Sequence, residues 1–519
     1  MTSGTTVPGM FSLVLHSHLP WLANHGRWPV GEEWLYQSWA DCYLPLTAAL
    51  ERLADDGHTD VLSLGVTPVL AAQLDDPHCL SGMHHWLGNW QLRAHEARDR
   101  ELSVREHRGA AAALEQFETR WRHGGSAVLR PLLDAGTVEL LGGPLAHPFQ
   151  PLLDPRLREF SLREGLLDAR ARWGSAPTGI WAPECGFTPG MESEYAAAGV
   201  SHFMVDGPAM RGDTSLGRTV WGSDVVAFGR DLPVSYRVWS PKSGYPGHGA
   251  YRDFHTYDHD TGLKPARVTG RTVASNDKAP YDPERAAATV DRHVTDFVEV
   301  VRRRLVSESD RIGRDALVVA AFDTELFGHW WHEGPQWLDK LMRALPAAGI
   351  TVGTLNDARE QEYIGAPLEL QDSSWGSGKD WRVWAGKDVA DLVMLNSEVS
   401  RTALDSVDAA REDRRRNGGP ELRNRVSDQI LRETLMAVAS DWAFMVSKDS
   451  AAGYARERAH VHAHALREIA AAAVGGSATR ATELAEQWNR ADGLFPALDA
   501  RRLPGAHRGS ELGSAGGQR

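Results

Sequence analysis

At 519 residues, with 42% hydrophobic and 24% charged residues, the chain has the balance of a globular protein with a large core and room for a big barrel plus a companion domain. The formal net charge of -13 repels phosphate backbones, which excludes nucleic acid as the natural partner and favours a neutral one. Three cysteines, Cys42, Cys79 and Cys185, lack metal-type spacing, which argues against a disulfide framework or a zinc module and suits a reducing cytoplasm.

In chain order, Met1 to Met10 carry no basic side chain, and the apolar run Phe11–Leu15 is too short for a signal peptide or membrane span. The expectation is a cytoplasmic protein with no membrane association. Further short apolar runs follow at Val61–Leu64, Val138–Leu141, Thr178–Trp181, His202–Val205, Leu317–Phe322 and Ile350–Leu355, and read as buried parallel strands. Helical patterns lie between them at Leu44–Ala54, Phe160–Trp173, Gly190–Ala198 and Gln336–Leu345, so the fold class is α/β, a barrel or a doubly wound sheet.

Two intervals break the alternation: residues 68–136, mostly helical in pattern with Trp86 and Trp90, and 207–314, rich in Gly, Pro and aromatics. Long insertions of this kind usually build a substrate site. A Trp- and Gly-rich loop at Asp372–Lys387 precedes Ala-, Arg- and Glu-rich segments at helical spacing: Glu398–Arg415, Arg425–Val446, Gly453–Ala472 and Ala478–Arg490. These predict a helical bundle, with a turn at Asn417–Pro420 and a flexible tail from Gly505 to Arg519.

In barrel enzymes the catalytic groups stand at the C-terminal ends of different strands. Here those ends carry His16 and His18, then Gly142, Gly143 and His147, then Glu184, Asp206, and finally Asp323 with Glu325. Glu184 and Asp323 suit a retaining glycosidase pair, which needs two carboxyl groups about 5–5.5 Å apart. Each also has a plain structural reading, as a helix-capping or salt-bridged carboxylate. Nineteen tryptophans suit stacking on sugar faces, although for any single one core packing is the simpler account.

At these residues the chain resembles glycoside hydrolase family 57, and within it the branching enzymes. The resemblance spans nearly the whole chain, from His16-Ser17-His18-Leu19-Pro20 onward. It is carried by Trp181-Ala182-Pro183-Glu184-Cys185-Gly186-Phe187 and by the long segment from Phe322-Asp323-Thr324-Glu325 through Gly328-His329-Trp330-Trp331. Gly142 to Pro148, Val238 to Gly247, Ser374-Trp375-Gly376, Trp384 and Ser440-Asp441-Trp442 are also similar.

The resemblance implies an incomplete (β/α)7 barrel over 1–371 with inserted helices at about 68–136 and 207–314, and a helical domain over 372–504 that contributes to the cleft, followed by the tail at 505–519. It implies Glu184 as nucleophile and Asp323 as general acid/base, with no cofactor and no metal. Substrate contacts are implied for His16, His18, His147, Arg252, Gly262, Trp375, Trp384 and Asp441, and a mobile loop from Tyr236 to Tyr245 bears a tyrosine. Trp330 belongs to the motif, and Trp21, Trp28, Trp375, Trp384 and the Tyr236–Tyr245 loop are candidates for excluding water, which favours sugar over water as acceptor. Lys448-Asp449-Ser450 stands where the branching relatives resemble Thr-Gly-Gln, so a glutamine contact is missing here.

The expected partners are an α-1,4-glucan donor and acceptor, with the physiological glucan and the oligomeric state, monomer included, left open. The expected activity is transfer of a glucan segment to a C6 hydroxyl, forming an α-1,6 branch. Within the family an amylase-like hydrolase or a 4-α-glucanotransferase would use the same carboxyl pair. From other classes, His16-x-His18 after a first strand suits a metal-dependent hydrolase that finds further ligands elsewhere, and a glucan-binding protein without chemistry would keep the cleft alone. His460, His462 and His464 read as an exposed face of an Ala-rich helix rather than as metal ligands.

Overall fold

The computed structural model describes residues 7–505 apart from 29, 419 and 421; the expected tail beyond 505 and part of the turn at 417–420 lie outside the described residues. Ten strands form one sheet: β1 Met10–Ser17, β2 Leu62–Val66, β3 Val138–Gly142, β4 Gly179–Ile180, β5 His202–Val205, β6 Gly217–Val220, β7 Val226–Gly229, β8 Leu317–Asp323, β9 Thr351–Val352 and β10 Ile364–Leu368. Seven of them run parallel in the order β8-β1-β2-β3-β4-β5-β7. The two ends approach each other where the Asp231 amide donates to the Val319 carbonyl and the Leu317 amide to that of Ser215. This is an incomplete (β/α)7 barrel.

Period-two alternation decides what the barrel contains. Along β1, Phe11, Leu13 and Leu15 turn outward to the helices, whereas Met10 and Val14 turn inward to Leu141, Trp181, Met204, Phe228, Leu317, Val319 and Ala321. The same parity brings His16 to the inner mouth. On β8, Leu317, Val319 and Ala321 face inward, so Asp323 follows them there, and it lies in register beside His16.

Two sequence expectations change here. The seventh barrel strand is not 350–355: β9 keeps only two residues and pairs with Met10 and Phe11 at the opposite end of β1 from the mouth. The seventh strand is β7, inside the expected insertion 207–314, which also holds β6, antiparallel to β7, and the 30-residue helix Pro283–Ile312. Its four-residue length, its own terminal Gly229 and the turn around Gly222 hide β7 among turn residues. The helix opens on Asp282, whose side chain accepts the Arg285 amide, and presents Val290, Val294, Phe297, Val301 and Leu305 to the core at helical spacing.

The first insertion is helical as expected, with helices at Pro68–Asp75, Pro77–Glu96, Arg100–Gln116 and Gly125–Asp134. Beyond β10 the described chain holds only helices, chiefly Ala390–Arg416, Arg425–Ala437, Ser440–Ser447, Ala452–Val474 and Ala478–Ala491. The expected single helix 425–446 is broken at Val438 and Ala439. Nothing in the local sequence marks the break. Ala439 pairs with Pro148, the Ser440 amide donates to the His147 carbonyl at 3.0 Å, and Trp442 Nε1 caps the first helix at the Met436 carbonyl.

One continuous apolar core runs from the outer face of β1 and β2 to Ile430, Leu435, Trp442 and Leu466 of the helical region. All three cysteines are buried and free. No helix among the described residues is long and apolar enough to cross a membrane. His460 and His464 are exposed as expected, but His462 is fully buried, which corrects the reading of all three as one surface face. Its Nδ1 meets Glu433 at 2.9 Å and its Nε2 meets Arg458 at 2.8 Å, while Asp492 ties the cluster to His25 at 2.5 Å and to Trp21 Nε1 at 2.9 Å.

Candidate active site

Six segments converge on the mouth: the ends of β1, β3, β4 and β8, the Trp375 loop and the start of the helix Ser440–Ser447. The turn after β4 carries Glu184 with left-handed backbone, φ 60° and ψ 19°, and Cys185 follows at φ 50°. For non-glycine residues this costs on the order of 1–3 kcal/mol each and persists only where neighbours over-determine the turn. Here the Trp375 amide donates to the Glu184 carbonyl at 2.8 Å, and Phe187 and Ser373 exchange backbone bonds at 3.0 and 3.1 Å. The loop after β3 repeats the device, with Ala146 and His147 both at φ 55°.

The Glu184 carboxyl is held at both oxygens. Ser440 Oγ reaches Oε1 at 2.7 Å and Trp375 Nε1 donates to Oε2 at 2.8 Å. Trp375 is itself braced by Lys379 on its carbonyl and by Arg230 over its ring, both of them paired with buried Asp206. Burial raises the pKa of Glu184, and the bonds from Trp375 and Ser440 oppose that shift.

Asp323 receives no hydrogen bond from any described residue, and burial together with the charge of Glu184 lifts its pKa to about 7. Its loop is fixed by Gly328, whose φ is 118° and whose added Cβ would fall 1.8 Å from the Asp41 carbonyl oxygen, so only glycine fits. Glu325, two residues on, accepts Tyr43 Oη at 2.5 Å and the His18 amide at 3.1 Å, and burial with Asp323 nearby raises it to about 8. Both carboxyls are raised on balance, but only Glu184 has donors that oppose the shift and favour its anion, the kind of asymmetry that double displacement requires.

Three histidines line the back of the site. His16 stacks on Trp181 with centroids 4.4 Å apart, and its Nε2 lies 3.0 Å from His147 Nε2; His147 Nδ1 lies 2.9 Å from Ser440 Oγ. His18 stacks on His147 at 3.7 Å, bonds Thr67 through Nδ1 and reaches both oxygens of Asp441 at 3.0 Å through Nε2. Burial would lower the His18 pKa, but Asp441 raises it above its ordinary value. His18, His147 and Asp441 present atoms within 4.8 Å of one another, a set that leaves out His16 and so does not complete the metal reading of His16-x-His18. As a ligand, however, His147 would give up its bond to His16 or to Ser440.

The sequence-derived residues therefore separate. His16, His18, His147, Glu184, Asp323, Trp375 and Asp441 come together. Trp384 is buried, flat against Phe149 at 4.5 Å, and its ring lies against Gly376 in the Trp375 loop. Trp330 is 46% exposed and packs on Phe254 beside the Asp323 loop. Arg252 is buried, pairing with Glu106 at 3.2 Å, and Gly262 closes an exposed turn against Asp258.

Trp28, 75% exposed, and Tyr236, on the helix Leu232–Trp239 rather than a loop, are available at the surface. Trp21 and Tyr245 are not: Trp21 is buried against Asp492, and Tyr245 packs on His293 and bonds Asp296. Ser440, Arg230 and Tyr43 were not singled out from sequence. Ser440 alone carried a signal, since it adjoins Asp441 in a recognised motif.

Residues 12–364 match the family described as glycosyl hydrolase family 57, and residues 398–502 match the domain described as 1,4-alpha-glucan branching enzyme, C-terminal. A probable 1,4-alpha-glucan branching enzyme of Mycobacterium tuberculosis is 67% identical, across 97% of this chain and 99% of that one. The crystal structure of a family 57 branching enzyme from Thermococcus kodakaraensis, in complex with glucose and additives, superposes with a TM-score of 0.88 at 29% identity, covering 94% of this chain and 95% of that one. The corresponding enzyme from Pyrococcus horikoshii gives 0.88 at 27% identity, covering 96% and 97%. The chain belongs to glycosyl hydrolase family 57.

Proposed function

We propose that this protein is a retaining 1,4-α-glucan branching enzyme in which Glu184 attacks C1 of the donor glucan while Asp323 protonates the departing glycosidic oxygen. The C1–oxygen bond breaks as the Glu184 ester forms, and the released chain takes the proton from Asp323. Asp323, now ionised, removes the proton of an acceptor C6 hydroxyl, which displaces Glu184 and creates the α-1,6 linkage.

The observation that carries this reading is the unequal treatment of the two carboxyls: two donors on Glu184 and none from described residues on Asp323. A carboxylate with paired donors is a stable anion and leaving group. A buried carboxyl without them keeps its proton near neutral pH. His18 with Asp441, Trp375, Trp330 and Trp28 are the proposed glucan contacts, because they combine charge-assisted donors with aromatic faces.

Incubation with amylose tests the proposal, reading new α-1,6 linkages after debranching alongside reducing ends. Linkages without matching reducing ends are expected. Reducing ends alone would make the protein a hydrolase, and products with only α-1,4 linkages a 4-α-glucanotransferase. Glu184→Gln is expected to lower turnover at least about a thousandfold, and Asp323→Asn by about 10²–10⁴.

A further inference from the structure

We propose that Ser440 is a positioning residue for the nucleophile, the last member of a one-way hydrogen-bond chain that runs His16, His147, Ser440, Glu184 and joins the barrel to the helical region. The inference rests on the reading of Glu184 as nucleophile. Its three links measure 3.0, 2.9 and 2.7 Å, and His16, His147 and Ser440 are each 2% exposed.

The direction follows from the blind end of the chain. His16 Nδ1 is buried and has no partner. With each imidazole carrying one proton, two directions exist. Running toward Glu184, His16 Nε2–H donates to His147, His147 Nδ1–H to Ser440, and Ser440 Oγ–H to Glu184 Oε1; only a lone pair on His16 Nδ1 then goes unmet. Running the other way, Glu184 must be protonated, and a buried N–H is orphaned at His16 Nδ1. Orphaned buried N–H groups are the rarer and costlier case. Burial, with His18 nearby, also holds both imidazoles well below the usual histidine range, which keeps one proton on each.

The forward chain delivers a donor to Oε1 while Trp375 serves Oε2, so the carboxylate is fixed in orientation and charge before substrate arrives. His16 and His147 then act on Glu184 through Ser440 rather than on the sugar. The last donor is also supplied by the helix Ser440–Ser447, so the barrel alone does not complete the nucleophile. The charged and titratable groups that face Glu184 are Asp323 from β8, His18 just after β1, Asp441 beside Ser440, and the Asp206, Arg230 and Lys379 group behind Trp375. None of these groups is itself substituted when only Ser440 is changed.

The test is the pH dependence of amylose cleavage in wild type, Ser440→Ala, Ser440→Thr and Ser440→Cys. Loss of the donor destabilises the carboxylate, so the acid limb of kcat/KM in Ser440→Ala should move to higher pH by about one unit. KM should change by less than about twofold, since Ser440, at 2% exposure, has almost no surface to offer a sugar. Ser440→Thr, which keeps the hydroxyl, should restore the limb. Ser440→Cys, close in size with a weaker donor, should fall between, and its limb decides if the alanine variant fails to fold. An acid limb at the wild-type pH in the variants without a hydroxyl, at any level of activity, would overturn the inference and leave the role of Glu184 standing. Full cleavage by Glu184→Gln would instead remove the proposed function, and this inference with it.

Discussion

Replacing Gly165 by alanine sets two sizeable effects against each other. Gly165 lies mid-way along the helix Pro155–Trp173, where helix propensity alone favours alanine by about 0.8–1 kcal/mol. Packing says the opposite: the added Cβ would fall 2.0 Å from the Gly143 carbonyl oxygen and 3.0 Å from the Leu145 nitrogen. The helix and the loop after β3 must separate by more than ~1 Å, and overpacking of this kind costs about 1–3 kcal/mol. The Leu145 amide also donates to the Ser161 carbonyl at 2.9 Å, a bond of about 1 kcal/mol that the separation strains.

The net expectation is destabilisation by about 1–2 kcal/mol, read as a lower midpoint in urea. Because the displaced loop carries His147, whose carbonyl and Nδ1 hold Ser440, branching of amylose should fall about tenfold or more. A Gly165→Ala protein as stable as wild type and fully active would show that the close approach does not constrain the site.

Other expectations are read from single sites. Asp323 must be protonated for the first step, and its pKa is about 7, so cleavage should decline as pH rises through that value, while protonation of Glu184 sets the acid side; a bell-shaped kcat/KM profile with a basic limb far from 7 would refute the role of Asp323. His462→Ala leaves Glu433 and Arg458 buried without their shared partner and should cost about 3 kcal/mol in urea unfolding, whereas His460→Ala on the exposed face should stay within about 0.5 kcal/mol. Arg252→Leu leaves Glu106 with Arg105 and Trp90 Nε1 as its partners and should cost about 1–3 kcal/mol, measured in the same way. Trp28→Ala, at a side chain 75% exposed, should leave stability within about 0.5 kcal/mol while raising KM for amylose.

Much of the barrel was legible because a strand buried on both faces must be largely apolar: β1, β2, β5 and β8 each appear as a Val-, Leu- or Phe-rich run ended by a polar group, and β3 as a Val- and Leu-rich run ended by glycines. β7 was not, since four residues ending in glycine and following the turn at Gly222 look like loop until β5 and β6 pair with them. The long helix Pro283–Ile312 is hidden in the sequence for a different reason. Its charged outer face and the Gly- and Pro-rich stretch before it made the whole interval resemble loop, although its Asp282 cap and apolar stripe were present.

For the site, the sequence by itself determined which ionisable groups stand at strand ends, and parity along β1 and β8 turned His16 and Asp323 inward. It did not determine which carboxyl is the anion, because that depends on donors remote in sequence: Trp375 is 191 residues from Glu184 and Ser440 is 256. Nor did it determine the break at Val438 and Ala439, where helical periodicity continues unbroken and only Pro148 and the His147 carbonyl pull the chain out of the helix. Local periodicity reports what each segment buries, whereas proton placement and backbone strain are set by partners that only the folded chain brings within 3 Å.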